Sequence, residues 1–139
     1  MKSLPTLLKI ARRDLDVLRR ALAEQNKRAA LVEERKRTLD QSILREKQLA
    51  ARDYESTRAY AGFAQLAMAN RLTLDGEATV IEQESERLRA LITEAHVEMR
   101  KFERLLELHE ERERRAAEKR EDAELDEMAT LRAGRQQRD

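Results

Sequence analysis

The sequence contains no cysteine and no tryptophan, a single proline and three glycines, and aromatic residues make up only 3% of its 139 positions. Each scarcity excludes something. Without cysteine there is no disulfide framework and no thiolate nucleophile, which fits a reducing compartment. Leu, Ile, Val and Phe together supply about a fifth of the chain, too little apolar area for the wide core of a sheet-based catalytic domain. The net charge of +1 provides no global field of the kind that holds a nucleic-acid binder on phosphate. The longest apolar stretch, around Tyr60 to Ala69, is far too short to cross a bilayer. In the opening MKSLPTLLKIARRD, Lys9, Arg12 and Arg13 interrupt the apolar run too early for a signal peptide, so a cytoplasmic protein is expected.

What is present is helix-forming. Charged residues account for 41% of the chain. Ala, Leu, Glu, Lys, Arg and Gln dominate it, all good helix formers that need only a narrow seam to bury. Ser3 is a suitable N-cap and Pro5 falls in a first turn, which predicts a helix from about residue 4. At seven-residue steps the chain reads Leu8, Leu15, Leu22, Ala29, Lys36, Ile43 and Ala50. The companions three residues on read Ala11, Leu18, Gln25, Val32, Leu39, Glu46 and Asp53, giving a coiled-coil seam that fades near residue 55. A second seam runs in unbroken steps of four and three from Leu74 through Ala78, Ile81, Ser85, Leu88, Ile92, Ala95, Met99 and Phe102 to Leu106. Beyond it the same phase becomes small or polar, while Leu125, Met128 and Leu131 return out of phase, as a stutter would produce.

These patterns predict an all-α fold, two long helices in an antiparallel coiled-coil hairpin with a short helical turn segment. The expected divisions are 1–57 for the first long helix, 58–73 for an apolar turn segment, 74–132 for the second long helix and 133–139 for a disordered tail. Gly62, Asn70 and Gly76 supply the breaker signals near the turn. At about 1.5 Å per residue the helices should be roughly 80 Å and roughly 85 Å long, and folding back would pair residues whose numbers sum to roughly 132. That register sets Leu4 and Leu7 beside Met128 and Leu125. Residues 1–30 carry a net charge of +5 and residues 103–128 a net charge of −5, so a hairpin would bring opposite charges together, whereas a parallel dimer stacks like on like.

No catalytic or cofactor chemistry is legible. His96 and His109 belong to no helical metal motif, and His109 with Glu113 reads as a solvated or seam-polar pair. No glycine-rich loop precedes a helix, and no Ser, His and Asp set stands out as a nucleophilic triad. Two clusters suit protein contacts instead. Arg12, Arg13, Arg19 and Arg20 repeat at seven, either as a solvated flank facing the acidic second helix or as a face for acidic loops of a partner; no aromatic platform accompanies them for nucleic acid. Three of the four aromatics, Tyr54, Tyr60 and Phe63, fall in one stretch, and Tyr60, Phe63, Leu66 and Met68 there read either as a cap on the hairpin or as a docking patch.

The opening LPTLLKIARRDLDVLRRALAE, the central YAGFAQLAMANR and the closing KFERLLELHEERERRAAEKREDAELDEMATLR resemble the FliJ family of the bacterial flagellar type III export apparatus, with coverage from Met1 to about Arg132. The resemblance implies a non-catalytic stalk without cofactor or metal, a two-helix antiparallel coiled coil similar to the central shaft of rotary ATP synthases. Its implied partners are the export ATPase FliI, whose ring assembly it promotes, the export gate protein FlhA, and export chaperones. It implies a cytoplasmic hairpin, monomeric alone, held at the inner membrane only through those partners. Leu7, Arg12, Arg13, Arg19, Arg20, Leu125 and Met128 would then meet the ATPase ring, and Tyr60, Phe63 and Leu66 the gate or another partner. The equivalent stalk of a virulence-type secretion system and a homodimeric coiled-coil scaffold without an ATPase partner are the alternatives.

Overall fold

The computed structural model describes residues 3–138, and they form two helices packed against each other, α1 (Leu4–Ala50) and α2 (Tyr54–Arg138). There is no strand among the described residues, in keeping with the all-α expectation. Ser3 caps α1: its carbonyl accepts the first helical bond from the Leu7 N–H at 3.0 Å, and its hydroxyl lies 2.9 Å from the Thr6 hydroxyl. Pro5 sits in the first turn, where a missing N–H costs nothing. No helix among the described residues is long and apolar enough to cross a membrane.

The break between the helices is not at 58–73. It spans Ala51 to Asp53, and residues 54–73 are the start of α2. The cause is a cap rather than a breaker. The Asp53 carboxylate accepts the Ser56 N–H at 2.7 Å, which satisfies a donor that the new helix would otherwise leave unpaired. Thr57 donates its hydroxyl to the Ala50 carbonyl at 2.6 Å and to the Asp53 carbonyl at 2.8 Å, stitching the end of α1 to the start of α2. The Arg52 N–H closes a tight turn on the Leu49 carbonyl at 3.1 Å. Gly62 and Gly76 break nothing; both lie inside α2, with open space where a Cβ would stand. At the far end, residues 133–138 continue α2 rather than forming a disordered tail, because Gly134 is only one weak helix former among good ones. Met1, Lys2 and Asp139 lie outside the described residues.

The chain divides into two compact units, Arg13–Ala95 and the pair of segments Met1–Arg12 and His96–Asp139. In the Arg13–Ala95 unit, the seam residues Leu15, Val32 and Ala50 of α1 are buried, as are Ala67, Ser85 and Leu88 of α2. The ion pairs Arg35–Glu77 at 3.9 Å, Lys36–Asp75 at 2.9 Å and Arg71–Asp40 fix the register, so partner numbers sum to about 111 rather than 132. Moving the turn from the middle of 58–73 back to Ala51–Asp53 lowers the sum in that direction. Lys36 occupies a seam position with its side chain only 15% exposed. A charged seam residue with one matching acid tolerates few alternative registers.

In the other unit, Leu8 and Ala11 of α1 are buried, Met99, Phe102 and Leu106 of α2 are half-buried, and Arg12 pairs with Glu103 at 3.6 Å. With that pair level, α2 passes the start of α1 near residue 111 and continues alone. Leu4 and Leu7 therefore do not lie beside Met128 and Leu125, which are exposed, and most of the acidic 103–128 segment has no stretch of α1 beside it in this unit.

Candidate functional site

The sequence places its candidate contacts on both units. In the unit holding the chain ends, Leu7 is half-buried, while the Arg12 guanidinium is exposed and shares Glu103 with Arg100, 3.6 Å from that carboxylate. From residue 112 to residue 137 every residue except Ala117 is exposed. On that stretch Leu125, Met128 and Leu131 stand three residues apart, each exposed, which puts them along one side of a helix that has nothing packed on it within its unit. His109 lies 3.3 Å from Glu113, and no cluster of metal-ligating side chains occurs among the described residues.

In the Arg13–Ala95 unit, Arg13, Arg19 and Arg20 are exposed and, among the described residues, join no ion pair. Their charge is available to acidic groups from outside. The central cluster divides. The Tyr60 and Phe63 rings lie 6.5 Å apart, tilted by 36°. Both are half-buried. Leu66, Met68 and Leu72 are exposed. Of the three residues expected to meet a second partner, only Leu66 offers its side chain freely.

The perturbed groups are ion pairs along the helices and one helix cap. Asp75 accepts a hydrogen bond from the Lys36 ammonium, which holds the Asp75 carboxyl below its ordinary range and raises Lys36 above its own. The Asp40 carboxylate raises Arg71 in the same way. Asp53 is lowered by the Ser56 backbone N–H, and Glu84 by its hydrogen bond from Arg87. Nothing in this set resembles a proton-transfer pair in a cleft; each shift comes from an ion pair or a helix cap.

One flank carries a feature that two seams alone do not account for. Val17 and Leu31 of α1 lie two heptads apart, two residues after seam positions Leu15 and Ala29, and are 56% and 53% exposed. On α2, Leu66 and Val80 hold the equivalent position, with Val80 64% exposed. Between the helices on this side run two adjoining grooves of about 570 and 410 Å³ that share Leu31 and Arg35. Gly76 opens the floor of one of them. The signal was present in the sequence as apolar residues fourteen apart on each helix, outside the seam positions that a hairpin needs.

No family model matches the chain, and comparison with curated proteins and with solved structures returns no match.

Proposed function

We propose that the chain is a non-catalytic helical stalk that joins protein partners, with the flagellar type III export apparatus as its setting. The observation that carries the reading is the α2 stretch beyond residue 111, which leaves Leu125, Met128 and Leu131 exposed along one side of an unpaired helix. A monomeric soluble helix gains nothing from such a stripe, because an isolated helix is marginal and apolar side chains in water favour association. The exposed Arg12, Arg13, Arg19 and Arg20 suit the acidic loops of a ring, and ring-shaped ATPases receive helical shafts through their centres. The resemblance to FliJ supplies the identities: the export ATPase FliI at the end that holds the chain termini, the export gate FlhA through the exposed Leu66 region, and export chaperones as further clients. In this reading the protein works in the cytoplasm and reaches the inner membrane through its partners.

The test is reconstitution with the cognate export ATPase. Wild-type protein should raise ring assembly and ATP hydrolysis. Leu125→Glu with Met128→Glu, or reversal of Arg12, Arg13, Arg19 and Arg20 to Glu, should abolish the stimulation while the helical content stays unchanged. Absence of stimulation by the wild-type chain refutes the reading. A virulence-type export ATPase tested in parallel separates the two kinds of secretion system.

A further inference from the structure

We infer that the Leu31–Val80 flank of the Arg13–Ala95 unit is a self-association surface, on which a second copy of this chain packs to form a four-helix bundle. The residues that test it, Glu24, Leu31, Val80 and Arg87, are not those that test the stalk reading, so the two stand or fall separately. The flank holds the pair of grooves beside Leu31 and Val80, both more than half exposed at positions that the intrachain seam does not use.

The occupant follows from what lies level with what. The ion pairs Arg35–Glu77 and Lys36–Asp75 set the height of α2 against α1 in this unit. At that register Leu31 is level with Val80, Glu24 with Arg87, Arg28 with Glu84, and Thr38 with Thr73. Within one chain Arg35 reaches Glu77 across the helices at 3.9 Å, while Glu24 pairs with Arg28 at 4.0 Å and Arg87 with Glu84 at 2.6 Å on their own helices. The level matching of Leu31 with Val80, Glu24 with Arg87 and Thr38 with Thr73, on the outer edges, has no such use inside the hairpin. A second copy does have such a use. Rotation by a half-turn about an axis parallel to the helices lays α1 of one copy over α2 of the other at equal height. Leu31 then packs on the other copy's Val80, Glu24 faces its Arg87, and the Arg28 and Arg35 wall faces Glu84 and Glu77. Turning the copy end over end instead sets the Arg28 and Arg35 wall on itself. The charges therefore select the first arrangement and oppose the second.

The size is adequate. The matched stretch from Ala21 to Leu49 is about 42 Å long and two helices are about 20 Å wide, so roughly 800 Å² per copy is covered, close to the usual size for specific protein pairs. With few large apolar residues at its centre, the contact should be weak, with a Kd on the order of 10 to 100 µM.

Sedimentation equilibrium between about 5 and 500 µM tests this, with circular dichroism confirming helicity in each variant. Wild type should pass from monomer to dimer over that range. Leu31→Glu with Val80→Glu should raise Kd at least about tenfold. Glu24→Arg should weaken dimerisation by a similar factor through repulsion with Arg87 of the other copy, and Glu24→Arg combined with Arg87→Glu should restore it to within about threefold. Because the chain has no cysteine of its own, an equal mixture of Leu31→Cys and Val80→Cys chains should form interchain disulfides on oxidation, far more than Leu31→Cys alone. Wild type that stays monomeric throughout, which would leave the grooves to another protein, overturns the inference. So does a dimer that the Leu31 and Val80 substitutions leave intact, or a charge swap that fails to rescue.

Discussion

Leu15→Ala and Val17→Ala lie two residues apart in one helix, and the packing predicts opposite outcomes for them. Leu15 is 2% exposed, the most deeply buried large side chain, whereas Val17 is 56% exposed. Truncating a buried leucine removes its transfer free energy and leaves a cavity that the neighbours fill only in part, together about 2 to 5 kcal/mol. Two-helix packing has a narrow core that can collapse, which favours the lower half of that range. The better helix propensity of alanine returns only about 0.2 kcal/mol. At Val17 the lost burial is small and the propensity gain is about 0.5 kcal/mol, so the net change should be near zero or slightly stabilising. Urea unfolding followed by circular dichroism, at about 2 µM so that association contributes nothing, should show the Leu15→Ala midpoint lowered by about 1 to 2 M. The Val17→Ala midpoint should move by less than about 0.3 M. Equal effects, or a larger loss at Val17, would refute the assignment of the seam and with it the location of the exposed flank.

Three further outcomes follow from the same geometry. Gly62→Ala should stabilise the fold by about 0.5 to 1 kcal/mol, since the site is helical with open space for a Cβ; destabilisation on thermal melting would mean that the residue lies in the turn after all. Residues 112–138 should exchange their amide hydrogens quickly and be the first trypsin target, because a helix without tertiary contacts is marginal; protection equal to that around Leu88 would show that the stretch is covered in the free protein. The pH dependence should be a plateau with two edges. Asp53, Asp75 and Glu84 are lowered in the fold, so their contribution is complete above their ordinary values of 3.8, 3.8 and 4.5 and disappears as pH falls through the lowered ones. Lys36 is raised, so its contribution is complete below 10.5 and disappears as pH rises through its folded value; Lys36→Met should remove the alkaline edge and soften the acidic one in a series of melting temperatures.

The all-α class and the helix pairing were legible because leucines repeat at seven from Leu8 and the four-three steps run unbroken from Leu74. The turn was misplaced for two physical reasons. The second seam extends back in the same phase through Arg71, Ala67, Ala64 and Tyr60, all half-buried or buried, but small alanines and a charged arginine carry no hydrophobic signal. The helix break itself holds neither glycine nor proline. It depends on Asp53 reaching the Ser56 N–H and on the Thr57 hydroxyl reaching back to Ala50, a local hydrogen-bond competition that periodicity does not register. A turn set too late moves the register and the positions facing Leu4 and Leu7 with it. Arg12, Arg13, Arg19 and Arg20 are exposed as the sequence suggested, whereas Tyr60 and Phe63 are half-buried.

Residues outside the seam are the informative ones for function, since nothing in the hairpin explains them. Leu15 and Leu88 are required by any two-helix fold, and their identity says little about partners. Leu31 and Val80 are not required: lysine or glutamate at either position would keep the helices paired and improve solubility. The same holds for Leu125, Met128 and Leu131, where α2 runs on without a neighbour in its unit. Each group places apolar area in water at a helical spacing, and each is flanked by charges of a definite sign, Arg28 and Arg35 against Glu77 and Glu84 in one case and the acidic run from Glu121 to Glu127 in the other. On the first flank Glu24 and Arg87 share the heptad positions of Leu31 and Val80, so charge and apolar area alternate there, whereas Leu125, Met128 and Leu131 follow one another directly; both groups nonetheless keep apolar side chains in water. Their persistence at two separate places argues for two distinct contacts, one whose matching walls suit a second copy and one whose exposed helix suits a different protein.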